Sequence, residues 1–199
     1  MRNILRKIIK GILKFLIIIV YRPKTVGLEN IEADKAMLIC PNHVHAFDSA
    51  VIVLTNKRKI NVLAKEELFK NSFVKWLADL FGVYPVKKEN RSMESVKISL
   101  RLLKNNELLM LFPEGTRNGL AKGVKPKDGA VKLAIRARVP IIPVGVQGNF
   151  KAFKKVKVNI GKPINYDKYD KEDTNNREMM EKLTKELMDE IIKLRDEKV

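Results

Sequence analysis

Cysteine is almost missing from the 199-residue chain, with Cys40 the only one. No internal disulfide framework can form, and the usage fits a reducing compartment. Histidine is nearly as scarce: the two present, His43 and His45, are separated by a single residue. One cysteine and two such histidines do not make a metal-ligand set of usual spacing, so no metal site is expected. No serine sits in a Gly-x-Ser-x-Gly elbow, which argues against a serine hydrolase. The chain also lacks an apolar run long enough to span a bilayer. Its longest, Phe15 to Tyr21, falls far short of the roughly 20 residues required. Internal repeats, low-complexity stretches and linkers are absent as well, so one domain with a substantial core is expected after the N-terminal segment.

What the chain has in excess is positive charge, +17 formally. Such a balance implies an anionic partner: a nucleic acid, an acidic membrane surface or a phosphorylated substrate. No nucleic-acid module or aromatic stacking platform accompanies the charge, so no nucleic-acid partner is expected. Arg2, Arg6, Lys7, Lys10, Lys14, Arg22 and Lys24 precede residue 25, with no acidic residue among them. On a helical wheel, Ile4, Leu5, Ile8, Ile9, Ile12, Phe15 and Leu16 fall on one face and Arg2, Arg6, Lys7, Lys10 and Lys14 on the other. That is the pattern of a helix lying in a membrane interface. Two rivals are a signal peptide, which the following Arg22-Pro23-Lys24 disfavours, and a helix packed on its own domain. Residues 1–22 are therefore read as an amphipathic membrane-interface helix and residues 23–199 as the working domain. The expected location is the cytoplasmic face of the membrane, peripheral or monotopic.

Strand and helix signals alternate through the rest of the chain, which predicts an α/β domain with a largely parallel or mixed sheet flanked by helices. The apolar run Ala36–Cys40 reads as a buried strand closed by Pro41. It delivers the loop Asn42-His43-Val44-His45-Ala46-Phe47-Asp48 ahead of a helix from Asp48 to Asn56. In open α/β sheets ligands bind beyond the carboxyl ends of strands. A five-residue offset puts two side chains about 140° apart on a regular helix. In a loop turning into a helix, His43 and Asp48 can instead meet. The pairing suits a reaction in which a base must deprotonate a hydroxyl, with the carboxylate fixing the tautomer of the imidazole. The plainer alternative makes Asp48 a helix cap.

A second strand, Ile60–Ala64, leads to Lys65, well placed for a phosphate. A helix over Phe73–Phe81 and a short strand, Val83–Val86, come next, then a helix capped by Asn90 or Ser92 with Val96, Leu100 and Leu103 inward. The strand Glu107–Phe112 delivers Pro113-Glu114-Gly115-Thr116-Arg117. Glycine lets backbone N–H groups approach a ligand, arginine grips phosphate through a bidentate fork, and the carboxylate can orient that arginine or a substrate hydroxyl. Beyond Pro126-Lys127-Asp128-Gly129-Ala130 lie a helix over Gly129–Ala137, a buried strand within Val139–Val146, a last strand near Val156–Ile160 and a helical tail from about Asn175, with Met180, Leu183, Leu187, Ile191 and Leu194 on one stripe.

Asn42-His43-x4-Asp48 and Pro113-Glu114-Gly115-Thr116-Arg117, in this order and about 70 residues apart, resemble the signatures of the glycerolipid acyltransferases, especially the 1-acylglycerol-3-phosphate acyltransferases. The resemblance covers roughly residues 24 to 165. It implies transfer of a fatty acyl chain from acyl-CoA or acyl-carrier protein to the free hydroxyl of lysophosphatidic acid, with no cofactor beyond the donor. It also implies His43 as general base, Asp48 as its orienting partner, and no acyl-enzyme. Substrate-binding roles fall on Asn42, Lys65, Glu114, Gly115, Thr116, Arg117 and Lys127, with an oxyanion stabilised by donors near Asn42 and Gly115. Lys87-Lys88 stand where the family usually has an arginine, and Pro126 stands where it has an aromatic residue. Other acceptors, glycerol 3-phosphate or another lysophospholipid, and a catalytically idle membrane-surface protein remain open. A Cys40-His43-Asp48 triad is disfavoured, because Cys40 sits within an apolar strand.

Overall fold

A computed structural model describes residues 2–86, 91–148 and 150–197. The chain runs α1 (Arg2–Tyr21), β1 (Lys24–Val26), β2 (Met37–Pro41), α2 (Asp48–Thr55), β3 (Ile60–Lys65), α3 (Ser72–Phe81) and β4 (Val83–Val86). It continues through α4 (Arg91–Lys104), β5 (Leu108–Met110), α5 (Gly129–Ala137), β6 (Ile141–Gln147), β7 (Lys157–Ile160) and α6 (Arg177–Asp196). The strands form one mixed seven-stranded sheet in the order β1-β7-β6-β2-β5-β3-β4. All neighbouring pairs are parallel except β6 with β7.

The pleat of β2 explains the layers. Met37 and Ile39 face one core with α2 and the end of α1, while Leu38 and Cys40 face the other with α4, α5 and α6. Buried on both faces, a parallel strand reads as an unbroken apolar run, as this one does. Ile141 and Ile142 are likewise fully buried, one on each side. The tail helix α6 buries Met180, Leu183, Leu187, Ile191 and Leu194, the stripe its spacing predicts. Asn176 starts it by accepting the Met179 N–H at 3.1 Å. A Cβ added at Gly145 of β6 would sit 2.1 Å from the backbone of Arg195, so the end of α6 approaches the sheet at backbone distance.

Two expectations are corrected. In α4, Leu103 is buried and Leu100 packs part-buried on the core as expected, but Val96 is exposed, and Ser99 and Leu102 are buried in addition. Asn90, one of its two expected caps, lies outside the described residues, as do Lys87 and Lys88, while Ser92 is inside the helix. In α1, Ile9 is half-buried with the inward side. Ile17 and Val20 pack on the α2-side core and Tyr21 is buried in it, so the helix does lie on its own domain. The face it turns outward still carries Ile4, Leu5, Ile8, Ile12, Phe15 and Leu16, all about half exposed or more. None of the described helices is long and apolar enough to cross a membrane.

Candidate active site

The chain leaves the sheet at Asn42, whose side chain imitates one more rung of the ladder. Its amide donates to the Val146 carbonyl at 2.9 Å, and its carbonyl accepts the Val146 N–H at 2.6 Å. Both polar groups of a side chain only 1 % exposed are thus spent on backbone. Asn42 anchors the loop to β6, a structural task that the sequence did not suggest.

The loop then closes around Asp48. Its Oδ2 accepts the Val44 N–H at 2.7 Å and the His45 N–H at 2.8 Å, and lies 2.9 Å from His43 Nδ1. A fully buried carboxylate is tolerated only with donors around it, and bonds to the ionised form are the stronger kind. Asp48 is not a helix cap: Phe47 occupies that position with no side-chain bond. The fold brings His43 and Asp48 together as the spacing anticipates. His43 keeps 19 % of its side chain exposed, and Phe112 stacks on the imidazole at 4.0 Å. With Nδ1 turned to the carboxylate, Nε2 is the nitrogen left for a ligand. Phe112 went unassigned in the sequence; its only signal is its place directly before the second signature.

That second loop divides into a buried and an open part. Glu114, 2 % exposed, accepts the His43 N–H at 2.8 Å on Oε1 and the Leu120 N–H at 2.9 Å on Oε2. The carboxylate therefore ties the two signature loops together, and its two contacts are to backbone and not to Arg117. A further bond, Asn118 N–H to the His43 carbonyl at 2.6 Å, reinforces the tie and leaves Arg117 one residue from the point of contact. Gly115, at φ +65°, donates its N–H to the Phe112 carbonyl at 3.0 Å, so that donor too is used internally. A Cβ at Gly115 would lie 3.0 Å from Cε of Lys127, which places this lysine against the turn. Thr116, Arg117 and Lys127 are exposed, and among the described residues the side chains of Arg117 and Lys127 enter no ion pair. Lys65 ends β3 at its carboxyl side, and only its backbone is described.

Cys40, fully buried on β2, faces the core away from α2, and burial pushes its thiol up. That suits a small hydrophobe and not a nucleophile. Among the described residues no group of histidine, cysteine and carboxylate side chains could hold a metal ion. A broad cleft of about 880 Å³ lies along β4, lined by Lys59, Glu66, Phe69, Lys75 and Tyr84, and includes neither His43 nor Arg117. The two signature loops meet elsewhere, at the carboxyl ends of β2 and β5.

The family model for the acyltransferases matches residues 22–147. The chain is 33% identical over 147 residues to a 1-acyl-sn-glycerol-3-phosphate acyltransferase of Bacillus subtilis, covering 71% of this chain and 73% of that protein. A protein of the same name from Borreliella burgdorferi is 28% identical over 131 residues, 65% of this chain and only 52% of that one. Among solved structures, the 1-acyl-sn-glycerophosphate acyltransferase PlsC of Thermotoga maritima has the same fold, with a TM-score of 0.73 at 22% identity. The likeness takes in 100% of this chain and 85% of the Thermotoga one.

Proposed function

From the premise that the chain belongs to the acyltransferase family, we propose that it moves a fatty acyl chain from a thioester to the free hydroxyl of 1-acylglycerol 3-phosphate, making phosphatidic acid. The observation that carries the mechanism is the 2.9 Å contact between His43 Nδ1 and Asp48 Oδ2, in a loop pinned from both sides. With a proton on Nδ1 donated to the carboxylate, Nε2 accepts the proton of the acceptor hydroxyl. The alkoxide oxygen attacks the thioester carbonyl, and the tetrahedral intermediate collapses to the ester. The thiolate leaves and takes up the proton that the imidazolium holds, so base and carboxylate return to their starting state. No acyl-enzyme forms, in keeping with a thiol at Cys40 that is buried and pushed up.

Arg117 and Lys127, exposed beside the turn at Gly115, are the cations for the phosphate of the acceptor, the arginine by a bidentate fork and the lysine as a point charge. Lys65 and Thr116 complete the set, and the donor is acyl-CoA or acyl-carrier protein with no further cofactor. The outward apolar stripe of α1 docks the enzyme on the anionic cytoplasmic leaflet, and the basic residues of the same segment add to the attraction. Each lysine or arginine near such a surface adds about 1 kcal/mol.

The test is transfer to lysophosphatidic acid in anionic vesicles, with each donor offered separately, comparing the wild type with His43→Ala. Activity that disappears in the variant supports reaction and base together. Wild-type protein inactive with both donors overturns the choice of acceptor.

A further inference from the structure

Between β6 and β7 lies a loop beyond the stretch that the family model matches. Residues 150–155 of it read Phe-Lys-Ala-Phe-Lys-Lys, two aromatic residues among three lysines and no acid. The two phenylalanines share an unusual backbone, φ +49° at Phe150 and +62° at Phe153. Left-handed backbone at a bulky residue is uncommon and has to be maintained by its surroundings. Their surroundings differ sharply. Phe150 is buried, stacked on His45 with ring centroids 4.9 Å apart and packed on Tyr21 at 5.5 Å. Phe153 is 66 % exposed, with Lys151, Lys154 and Lys155 exposed around it.

The loop is fastened to the end of α1. The Phe153 N–H donates to the Val20 carbonyl at 2.6 Å, and the Val156 N–H donates to the Tyr21 carbonyl at 3.0 Å. The outward apolar face of α1, which includes Ile18 and Ile19, thus runs on into the exposed ring of Phe153. Phe47, 46 % exposed in the catalytic loop, packs on Tyr21 at 5.7 Å from the other side.

We propose that residues 150–155 are a second membrane-docking element, in which Phe153 enters the interface and Lys151, Lys154 and Lys155 meet anionic lipid headgroups. The occupant follows from charge and shape. A lone aromatic ring ringed by cations is matched by a surface with an apolar interior and negative headgroups, the arrangement aromatic and basic residues adopt at membrane interfaces. With α1 it grips the surface at two places, and the catalytic loop between them is joined to the new element through the His45–Phe150 stack. This rests on the membrane-surface reading of the function and adds a contact to it.

The experiment is sedimentation of the full chain with vesicles of phosphatidylglycerol and phosphatidylcholine, and with phosphatidylcholine alone. Phe153→Ala, which keeps the loop's charge, is expected to weaken binding to the anionic vesicles about tenfold, from the apolar area withdrawn. The triple change of Lys151, Lys154 and Lys155 to Gln is expected to weaken it on the order of a hundredfold at low salt and to flatten its salt dependence. Met93→Ala, at an equally exposed apolar position in α4, is expected to change nothing. If the wild type fails to bind anionic vesicles, the membrane reading itself falls. If the wild type binds and Phe153→Ala binds equally well, α1 alone docks the protein and the proposal is overturned. Vesicle binding intact in the variants but self-association lost would assign the patch to a second copy, which overturns it too.

Discussion

Two carboxylates, Asp48 and Glu114, are buried at the carboxyl ends of neighbouring strands, and each takes two backbone N–H groups. They differ in what else they touch. Asp48 gathers its donors and the imidazole of His43 on one oxygen, whereas Glu114 divides its two oxygens between two loops. One carboxylate therefore sets the orientation of the His43 imidazole, and the other sets the distance between the His43 loop and the loop that carries Arg117. Similar chemistry in similar burial yields a partner for an imidazole in one loop and a brace between loops in the other.

Substitutions can break the comparison. The largest effect is expected at His43: replacement by Ala lowers kcat/KM at least about a thousandfold, with the thermal midpoint little changed, measured by transfer assay and melting. Glu114→Gln puts an amide nitrogen against one of two N–H donors. It should cost about 1–3 kcal/mol of stability, seen as a lower urea midpoint, and kcat should fall before KM for the acceptor rises. A rise in KM alone would mean that Glu114 binds substrate. Arg117→Ala should do the reverse, raising KM for a phosphate-bearing acceptor by about ten- to a hundredfold from the loss of charge-assisted bonds, at unchanged stability. Arg117→Lys, which keeps charge without the fork, should recover part of that loss. Smallest is Cys40→Ala: transfer unchanged and about 1 kcal/mol of stability lost to the cavity.

The α/β alternation, the strands that carry both signatures and the His43–Asp48 pairing were legible because each depends on residues close in sequence. The stripe of α6 was legible for the same reason, being a helix packed along one face only. What Asn42 and Glu114 do was not. Their partners are Val146 and the backbone of His43 and Leu120, and a side chain bonding to distant backbone leaves no mark on residue type. From sequence, a glutamate beside an arginine suggests a pair. Topology decides otherwise, because β5 lies next to β2 and points Glu114 at the loop that β2 releases. The inward side of α1 was hidden for a related reason: a helix apolar nearly all round near its end can turn any face to the domain.

The bond from Asn42 to Val146 has a consequence in time. It closes a span of 104 residues, and β6 is the neighbour of β2 on that side of the sheet. Contacts of such separation form late, since the entropy of closing the loop precedes any gain. A chain emerging from the ribosome has carried His43 and Asp48 out long before Val146 is made. His43 and Asp48 thus remain without that anchor until β6 is made, and their loop is fixed only when the sheet around it is nearly complete.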